Sequence, residues 1–176
     1  MIDPGALPEG TTCRPLATMP DERGSFTELY RREWLPGSPA VQWNLIRSDA
    51  GVMRGMRVHP RHDDYLIVLD GLVQIGLRDL RQASTTFGRP SLLALGGSEL
   101  AVLTIPAGVA HGLYFSEPSA VLIGVTRYHD AEDEIPCRWD DPALEIPWPF
   151  SSPKLSPGDA SAPSLAQVIS LVNRAL

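Results

Sequence analysis

The stretch Ile105-Pro106-Ala107-Gly108-Val109-Ala110-His111-Gly112 decides the fold prediction. It places a histidine at the start of a strand, directly after a turn that contains a proline and a glycine. A lone histidine in an apolar segment is usually a buried core residue, but a histidine after such a turn can point its imidazole into the mouth of a barrel. The turn and the histidine together favour a site at His111 over a core role, and short strands around them imply a sandwich or a barrel.

Short segments rich in valine, isoleucine, leucine and aromatic residues alternate with polar residues on both sides of this stretch, and 17 prolines and 15 glycines separate them. This pattern is typical of short strands and predicts an all-β fold. A jelly roll is one arrangement that removes most exposed strand edges. The predicted strands are Ser25–Arg31, Ala40–Ile46, Val52–His59, Tyr65–Leu69, Leu72–Leu77, Ser91–Leu95, Glu99–Ile105, Gly112–Ser116 and Ala120–Arg127.

Turns and one helix complete the prediction. Asp70-Gly71 is predicted to be a hairpin turn, because its glycine tolerates the positive φ that such turns require, and Gly96-Gly97 is given the same role. The last thirteen residues are predicted to be helical, since Pro163 suits a first turn and Ser164 with Gln167 fits a capping box. The apolar stripe of this helix comprises Leu165, Val168, Ile169, Val172 and Leu176.

The chain length favours one domain, because 176 residues suffice for a single hydrophobic core. We expect residues 1–176 to form it, with a barrel core at about 21–150 and a C-terminal arm and helix at 151–176. The Ser/Pro-rich stretch Ser151–Ser164 is interpreted as an arm that packs over the barrel, and a disordered tail is the alternative.

The charge pattern excludes several partners. The formal net charge is −6 without a basic stripe, so nucleic acid is not an expected partner. The sequence has neither an apolar run near eighteen residues nor a signal-peptide pattern at its start, so we expect no membrane span and a cytoplasmic location. Cys13 and Cys137 share no CxxC spacing and are expected to be reduced thiols without a chemical role.

Eight motifs follow one another in a characteristic order. They are Asp21–Glu28 (DERGSFTE), Gln42–Asn44 with Ser48, Gly51–Gly55 (GVMRG), Asp79–Arg81 followed by Ser84–Gly88, Ile105–Gly112, Trp139–Pro142, Ile146–Pro149, and Leu155-Ser156 with Asp159. Together they resemble the dTDP-4-dehydrorhamnose 3,5-epimerase family, whose members are metal-free proteins of the cupin superfamily. The resemblance covers about Asp21 to about Pro163 and agrees with the strand prediction.

The resemblance implies a cupin-type jelly roll that binds a nucleotide-linked 4-keto-6-deoxyhexose without a cofactor or metal. It also implies a homodimer in which the amino-terminal strands reach across to the partner. Family members remove the protons at C3 and C5, which the C4 ketone acidifies, and return them from the other face. In the family pattern the base is a histidine supported by an aspartate, the acid is a tyrosine, and a lysine stabilises the enolate oxygen.

The chain departs from this pattern at the catalytic positions. Where the family reads Arg-Gly-Leu-His, the chain reads Arg54-Gly55-Met56-Arg57, and a guanidinium cannot accept a proton at neutral pH. Ile123 stands where the family places its tyrosine. The lysine position falls near Asp64 or Tyr65, whereas the aspartate is kept as Asp159.

The ligand-binding positions of the family are better preserved than the catalytic ones. By resemblance they are Arg23 and Arg54 for the pyrophosphate, Phe26 and Glu28 for the nucleotide base, and Gln42 and Asn44 for the pocket wall. Arginine is suited to bidentate contacts with phosphate. The alternative is that these are ordinary polar residues of turns and strands, retained with the fold.

Other residues can replace the missing proton carriers. Strand alternation places Arg57 and His59 on one face, so we predict a 3- and/or 5-epimerase in which His59 and His111 transfer protons beside Arg57. Alternatively, Arg57 pairs with Asp159 and the pocket is inert or binds an anion. Further candidate proton donors, each also suited to an ordinary strand surface, are Tyr65, Tyr114 and Tyr128.

A bulge at Gly55 would let Arg54 join the face of Arg57. The run His129–Glu134 is interpreted as a solvated loop without assigned chemistry.

Two other functions stay open. In the first, the pocket is repurposed, and the protein is either a small-molecule binding or scaffold protein or a cyclase or isomerase of a natural-product pathway. In the second, the protein is a metal-dependent cupin enzyme. Imidazoles and carboxylates are ligands that divalent iron, manganese and zinc accept. The metal ligands would come from His59, His62, His111 and either Asp63 or Asp64.

Overall fold

The computed structural model describes residues 7–34 and 37–175, which contain twelve strands and two α-helices. The strands are β1 (Thr12–Pro15), β2 (Thr18–Asp21), β3 (Gly24–Thr27), β4 (Gln42–Ser48), β5 (Met53–Val58), β6 (Asp64–Asp70), β7 (Leu72–Asp79), β8 (Pro90–Gly96), β9 (Ala101–Ile105), β10 (Val109–Phe115), β11 (Ser119–Val125) and β12 (Ile135–Pro136). The helices are α1 (Pro157–Ala160) and α2 (Leu165–Ala175), and short 3₁₀ turns lie at Arg32–Trp34, Ala131–Asp133 and Pro142–Leu144.

Ten of these strands form two five-stranded antiparallel sheets. The order in the first sheet is β1-β9-β6-β11-β4, and the order in the second is β12-β5-β10-β7-β8. Strands β2 and β3 form a separate hairpin. The predicted all-β jelly roll with a C-terminal helix is confirmed.

Proline explains which strands the sequence analysis missed. β1, β2 and β12 each contain a proline, which lacks the N–H that a central strand needs, and β1 and β12 lie at sheet edges. Because β1 pairs with β9, the barrel begins before the expected boundary near residue 21. The strand predicted over Ser25–Arg31 ends at Thr27, and the chain then enters the 3₁₀ turn Arg32–Trp34.

The two glycine turns have a different role from the one predicted. Gly71 has a positive φ of 77°, as the turn requires, but β6 and β7 belong to different sheets. The prediction that Asp70-Gly71 closes a hairpin was therefore wrong, and the same holds for Gly96-Gly97 between β8 and β9. Both turns carry the chain from one sheet to the other, and Gly97 N donates a hydrogen bond of 3.0 Å to Gly71 O.

The main core lies between the two sheets. Leu66 and Leu103 of the first sheet and Ile75, Leu77 and Phe115 of the second are almost completely buried in it. Burial of each such side chain stabilises the fold by about 1.5–3 kcal/mol. This core fixes how far apart the two sheets lie, and it thereby defines the space left for a ligand.

A second apolar cluster covers the other face of the second sheet. Met53, Met56, Leu144, Val168 and Val172 are buried there, and the last two belong to α2. The arm also forms a parallel bridge between Lys154 and Val52. The prediction that the C-terminal arm packs over the barrel is confirmed.

The two cysteines are free thiols, as expected. Cys137 is buried in the second cluster, and burial raises the pKa of its thiol to about 12. Burial also raises the pKa of the Cys13 thiol. Burial therefore disfavours the thiolate, which is the reactive form of cysteine.

The α2 helix begins as the sequence predicts. The side chain of Gln167 accepts a hydrogen bond from Ser164 N at 3.0 Å, which is one half of a capping box. Asp141 accepts a second bond from Leu165 N at 2.9 Å. The prediction of only one helix missed the short α1, and Leu176 lies outside the described residues. No helix within residues 7–34 and 37–175 is both long and apolar enough to span a membrane.

A buried carboxylate closes the long connection between β7 and β8. Asp79 accepts hydrogen bonds from Arg81 Nε at 2.9 Å, Ser84 Oγ at 2.7 Å and Thr86 Oγ1 at 2.6 Å. Burial alone would raise the pKa of Asp79, but these bonds outweigh it and lower the pKa to about 2. The ionised carboxylate therefore stabilises the folded state.

We expect Asp79→Asn to lower the free energy of unfolding by about 2 kcal/mol at pH 7. Because the folded pKa is depressed, this contribution is present above the ordinary value of 3.8 and is lost as the pH falls through about 2. Urea denaturation of both proteins at pH 7 and at pH 2–3 measures the difference. Asp21→Asn removes an exposed carboxylate and should leave the urea midpoint unchanged. Equal stability of Asp79→Asn and wild type at pH 7 would contradict this account.

Candidate active site

An open cavity of about 270 Å³ lies between the two sheets. Strands β4, β6 and β11 of the first sheet line it from one side, and β5 and β10 of the second sheet line it from the other. Alternate residues point into it, such as Asn44 and Ile46 on β4 and His111 and Leu113 on β10. The expectation that His111 faces a pocket agrees with this arrangement.

A bulge in β5 brings two arginines to the cavity. His111 pairs with Arg57 and the next residue, Gly112, pairs with Gly55, so β5 carries one extra residue at this point. Gly55 has a positive φ of 100°, and a Cβ at this position would lie 2.9 Å from His111 O. Only glycine fits there. The bulge places both Arg54 and Arg57 on the cavity wall, although they are three residues apart.

Arg57 is fixed by two carboxylates. Its Nη1 lies 2.6 Å from Asp159 Oδ1, and its Nε lies 3.6 Å from Glu134 Oε2. Asp159 is buried at the α1 helix and also accepts a bond from Ser156 Oγ at 2.7 Å. The pairing of Arg57 with Asp159, which the sequence left as an alternative, is present. It holds a permanent positive charge at the cavity and ties the C-terminal arm to β5.

Three imidazoles surround one carboxylate beside Arg57. Asp64, the first residue of β6, lies 3.6 Å from His62 Nε2 and 3.6 Å from His111 Nε2. His59 Nε2 lies 3.8 Å from the same carboxylate. The side chains of His59, His62 and Asp64 are buried, and His111 is 12% exposed. Ligand atoms of His59, His62 and Asp64 lie within 4.8 Å of one another, so these residues can hold a metal ion.

The charges of this cluster influence one another. Burial would raise the pKa of Asp64, but the neighbouring imidazoles of His62, His111 and His59 lower it overall. Burial would lower the pKa of His62, but the carboxylates of Asp64 and Asp133 raise it. Burial dominates for His111 and lowers its pKa. The cluster thus keeps Asp64 ionised.

The predicted ligand-binding residues separate into two groups. Arg54 and Asn44 line the cavity, and Gln42 donates a hydrogen bond to Asn44 at 2.9 Å. The other three lie on or next to the exposed β2–β3 hairpin and do not line the cavity of their own chain: Arg23 pairs with Asp21, Glu28 pairs with Arg31, and Phe26 is 62% exposed.

The predicted tyrosine donors lie elsewhere. Tyr65 is buried and its hydroxyl donates to Ser38 O at 2.8 Å. Tyr114 stacks on Phe150 with ring centroids 3.7 Å apart, and Tyr128 is 74% exposed. None of the three lines the cavity within the described residues, whereas Ile123 does.

The run His129–Glu134 contributes three residues that the sequence analysis missed. Glu134 and His129 line the cavity, and His129 Nδ1 lies 3.5 Å from Glu134 Oε1. Asp133 is buried and its Oδ2 lies 2.6 Å from His62 Nδ1. The interpretation of this run as a solvated loop was therefore wrong at Asp133, which is buried at the end of the 3₁₀ turn Ala131–Asp133. A run of charged residues has no periodicity, so only the charge density itself could have indicated the site.

Comparisons with known proteins match both the sequence and the fold. The sequence profile of the dTDP-4-dehydrorhamnose 3,5-epimerase family matches residues 6–167. The dTDP-4-dehydrorhamnose 3,5-epimerase of Salmonella typhimurium is 36% identical over 159 residues, which cover 85% of this chain and 87% of that protein. The protein of the same name from Neisseria gonorrhoeae is 32% identical over 171 residues. These 171 residues cover 92% of this chain but only 52% of the Neisseria protein, so this chain spans about half the length of that relative.

A solved structure supports the fold assignment. The dTDP-6-deoxy-D-glucose-3,5-epimerase of Legionella pneumophila, in complex with dTDP-4-keto-L-rhamnose, superposes with a TM-score of 0.86 at 31% sequence identity. The match covers 93% of this chain and 92% of that chain. The cupin-type jelly roll predicted from the sequence is thus confirmed.

The ion pair of Arg57 and Asp159 should couple the cavity to the C-terminal arm. In a double-mutant cycle of Arg57→Gln and Asp159→Asn, we expect a coupling free energy of about 1–3 kcal/mol, because Asp159 is buried. The measurement is urea denaturation of the four proteins. The more exposed pair of Arg61 and Asp130, 3.7 Å apart, is the matched control and should give less than about 0.5 kcal/mol. Equal coupling in the two pairs would refute the structural role of Asp159.

Proposed function

The chain belongs to the dTDP-4-dehydrorhamnose 3,5-epimerase family, and we propose that it epimerises a dTDP-linked 4-keto-6-deoxyhexose at C3, C5 or both. Family members are isomerases of nucleotide-sugar biosynthesis. The observation that carries the proposal is the arrangement of Arg57, Glu134 and His129 on one wall of the cavity. It places a fixed positive charge next to a histidine–carboxylate pair.

The reaction needs stabilisation of an enolate. Removal of a proton next to the C4 ketone leaves negative charge on the ketone oxygen, and a fixed cation beside that oxygen lowers the barrier. Arg57 is suited to this role, because its guanidinium stays charged and Asp159 holds it in place. Arg57 cannot also be the base.

The proton acceptor in this proposal is His129. Its Nδ1 faces Glu134, so the carboxylate orients the ring and leaves Nε2 to accept a proton. The ring is 62% exposed and therefore accessible to a substrate in the cavity. This pair reproduces the histidine–carboxylate support that the resemblance implies, but on a different segment of the chain.

His59 and His111, which the sequence favours as proton carriers, are less suited to that role. Their Nε2 atoms face Asp64, at 3.8 and 3.6 Å. Their Nδ1 atoms lie 3.0 Å from Asp133 O and 3.3 Å from Val109 O. Both nitrogens of each ring are thus directed at oxygen atoms of the protein, and we propose a different role for these rings below.

The returning proton comes from water in this proposal. Ile123 and Val125 line the cavity from β11, and their side chains carry no ionisable proton. The cavity is open, so solvent reaches the opposite face of the sugar. Exchange with solvent at C3 or C5 is therefore the direct signature of the reaction.

The nucleotide is bound by residues of two chains in this proposal. Arg54 and Asn44 contact the ligand from the cavity wall. Arg23, Phe26 and Glu28 complete the site of the partner in a homodimer, as the resemblance implies. The support is the exposed β2–β3 hairpin, on which Phe26 is 62% exposed and Met19 51% exposed in the single chain.

Incubation with a dTDP-4-keto-6-deoxyhexose in heavy water should introduce deuterium at C3 or C5, as measured by NMR or mass spectrometry. We expect His129→Gln to slow this exchange by about 10²-fold or more, because the general base is lost. Tyr128→Phe changes the neighbouring exposed side chain and should leave the rate unchanged.

Absence of deuterium at both carbons at high enzyme concentration would overturn the epimerase proposal. Equal exchange by wild type and His129→Gln would instead overturn the assignment of the base.

Binding of dTDP should depend on Arg54. We expect Arg54→Gln to weaken binding at least about tenfold in isothermal titration calorimetry, because a charged contact with the pyrophosphate is lost. Arg47→Gln removes an exposed arginine on β4 that does not line the cavity, and it should bind dTDP like the wild type. Identical affinities for both variants would place the pyrophosphate elsewhere.

A further inference from the structure

The reaction proposed above assigns roles to Arg57 and His129 and none to the convergence of three imidazoles on Asp64. The Nε2 atoms of His59, His62 and His111 all point at one carboxylate that is almost completely buried. The residues come from the segment after β5, from β6 and from β10, so both sheets contribute. The cluster borders the cavity and therefore faces any bound ligand.

The other nitrogen of each ring faces a hydrogen-bond acceptor. Nδ1 of His59 lies 3.0 Å from the carbonyl oxygen of Asp133, and Nδ1 of His62 lies 2.6 Å from its Oδ2. Nδ1 of His111 lies 3.3 Å from Val109 O. Carbonyl and carboxylate oxygens only accept hydrogen bonds, so Nδ1 carries the proton in each ring. The Nε2 atom of each ring is then the atom directed towards Asp64.

The four groups are close together but do not bond one another well. The Nε2–Oδ distances of 3.6–3.8 Å exceed a good hydrogen bond. The ring centroids of His59 and His62 are only 4.2 Å apart, and the ligand atoms of His59, His62 and Asp64 lie within 4.8 Å of one another. A cation placed among these groups is within reach of all of them.

We propose that this cluster is a binding site for one divalent first-row transition-metal ion, with the ligands His59, His62, Asp64 and His111. Imidazole and carboxylate are ligands that such ions prefer. In a tetrahedral site with bonds of about 2.1 Å, neighbouring ligand atoms lie about 3.4 Å apart. Asp64 Oδ2 lies 3.8 Å from His59 Nε2 and 3.6 Å from His111 Nε2, and Asp64 Oδ1 lies 3.6 Å from His62 Nε2, which is within a few tenths of an ångström of that separation. The ligand atoms of His59, His62 and Asp64 lie within 4.8 Å of one another.

Asp133 is the positioning residue of this site. Its carbonyl and carboxylate hold His59 and His62, and its Oδ1 accepts a hydrogen bond from Arg61 N at 3.0 Å. Metal-binding histidines are commonly oriented in this way by a carboxylate or carbonyl on the other ring nitrogen. The inference departs from the metal-free site that the family resemblance implies.

Cobalt and zinc test the site without any sugar ligand. The full chain is treated with a chelator and titrated with Co²⁺, whose visible absorption reports coordination by nitrogen and oxygen ligands. Equilibrium dialysis against Zn²⁺, followed by elemental analysis, gives the stoichiometry. We expect one ion per chain and a higher melting temperature for the loaded protein.

Conservative variants locate the ion. His62→Gln and Asp64→Asn should each weaken Co²⁺ binding at least about 100-fold, with loss of the thermal shift. His129→Gln removes a histidine from the same cavity but outside the cluster, and it should bind Co²⁺ with unchanged affinity. Circular dichroism checks folding, and His111→Gln replaces any variant that fails to fold.

Wild-type protein that binds neither ion at millimolar concentration would overturn the proposal, and so would unchanged affinity in His62→Gln and Asp64→Asn. The metal inference does not depend on the proposed reaction. Metal binding without deuterium exchange would support the metal site and overturn the epimerase function. Deuterium exchange without metal binding would support the epimerase function and overturn the metal site.

Discussion

The negative charge of Asp64 is the constraint on which the cavity depends. A carboxylate buried between two sheets is costly unless nearby groups compensate it, and the sheets themselves supply apolar side chains. His59, His62 and His111 converge on this carboxylate from separate segments, and their imidazoles lower its pKa. Asp133 in turn fixes two of these rings, so the loop after β11 is tied to the barrel. The shape of the cavity follows from this charge balance as much as from apolar packing.

The bulge at Gly55 has a comparable effect on the opposite wall. A regular strand would point Arg54 and Arg57 to opposite faces, and the extra residue turns both to the cavity. Arg57 then reaches Asp159, which brings α1 and the arm against β5. The backbone bulge at Gly55 thus sets both the positive charge of the cavity wall and the position of the C-terminal arm.

The sequence predicted the parts that depend on local patterns. Strands with alternating apolar residues, the Pro/Gly turn before His111 and the cap at Ser164 were all recognisable, because each depends on neighbours in the chain. β1 and β12 were missed because each carries a proline and pairs with a distant strand, β9 for β1 and β5 for β12. The turn at Gly71 was visible, but the sheet that its two strands join was not.

The site was harder to predict for the same reason. His59 and His111 were predicted as site residues from alternation and from the turn, whereas Asp133, His129 and Glu134 lie on a charged loop without a period. Only the folded chain shows that this loop closes on the cavity.

The identity of Asp64 bears on the chemistry of the whole pocket. By resemblance, a lysine belongs near Asp64 or Tyr65, and only Asp64 faces the cavity, since the Tyr65 hydroxyl is bonded to Ser38. A carboxylate in place of an ammonium group would repel a developing enolate. A divalent metal ion held by Asp64 and three neutral imidazoles gives this wall a net positive charge, whereas the carboxylate alone gives it a negative charge. The exchange of lysine for aspartate is then consistent with enolate chemistry, because the ligand set recruits the cation that the side chain no longer provides.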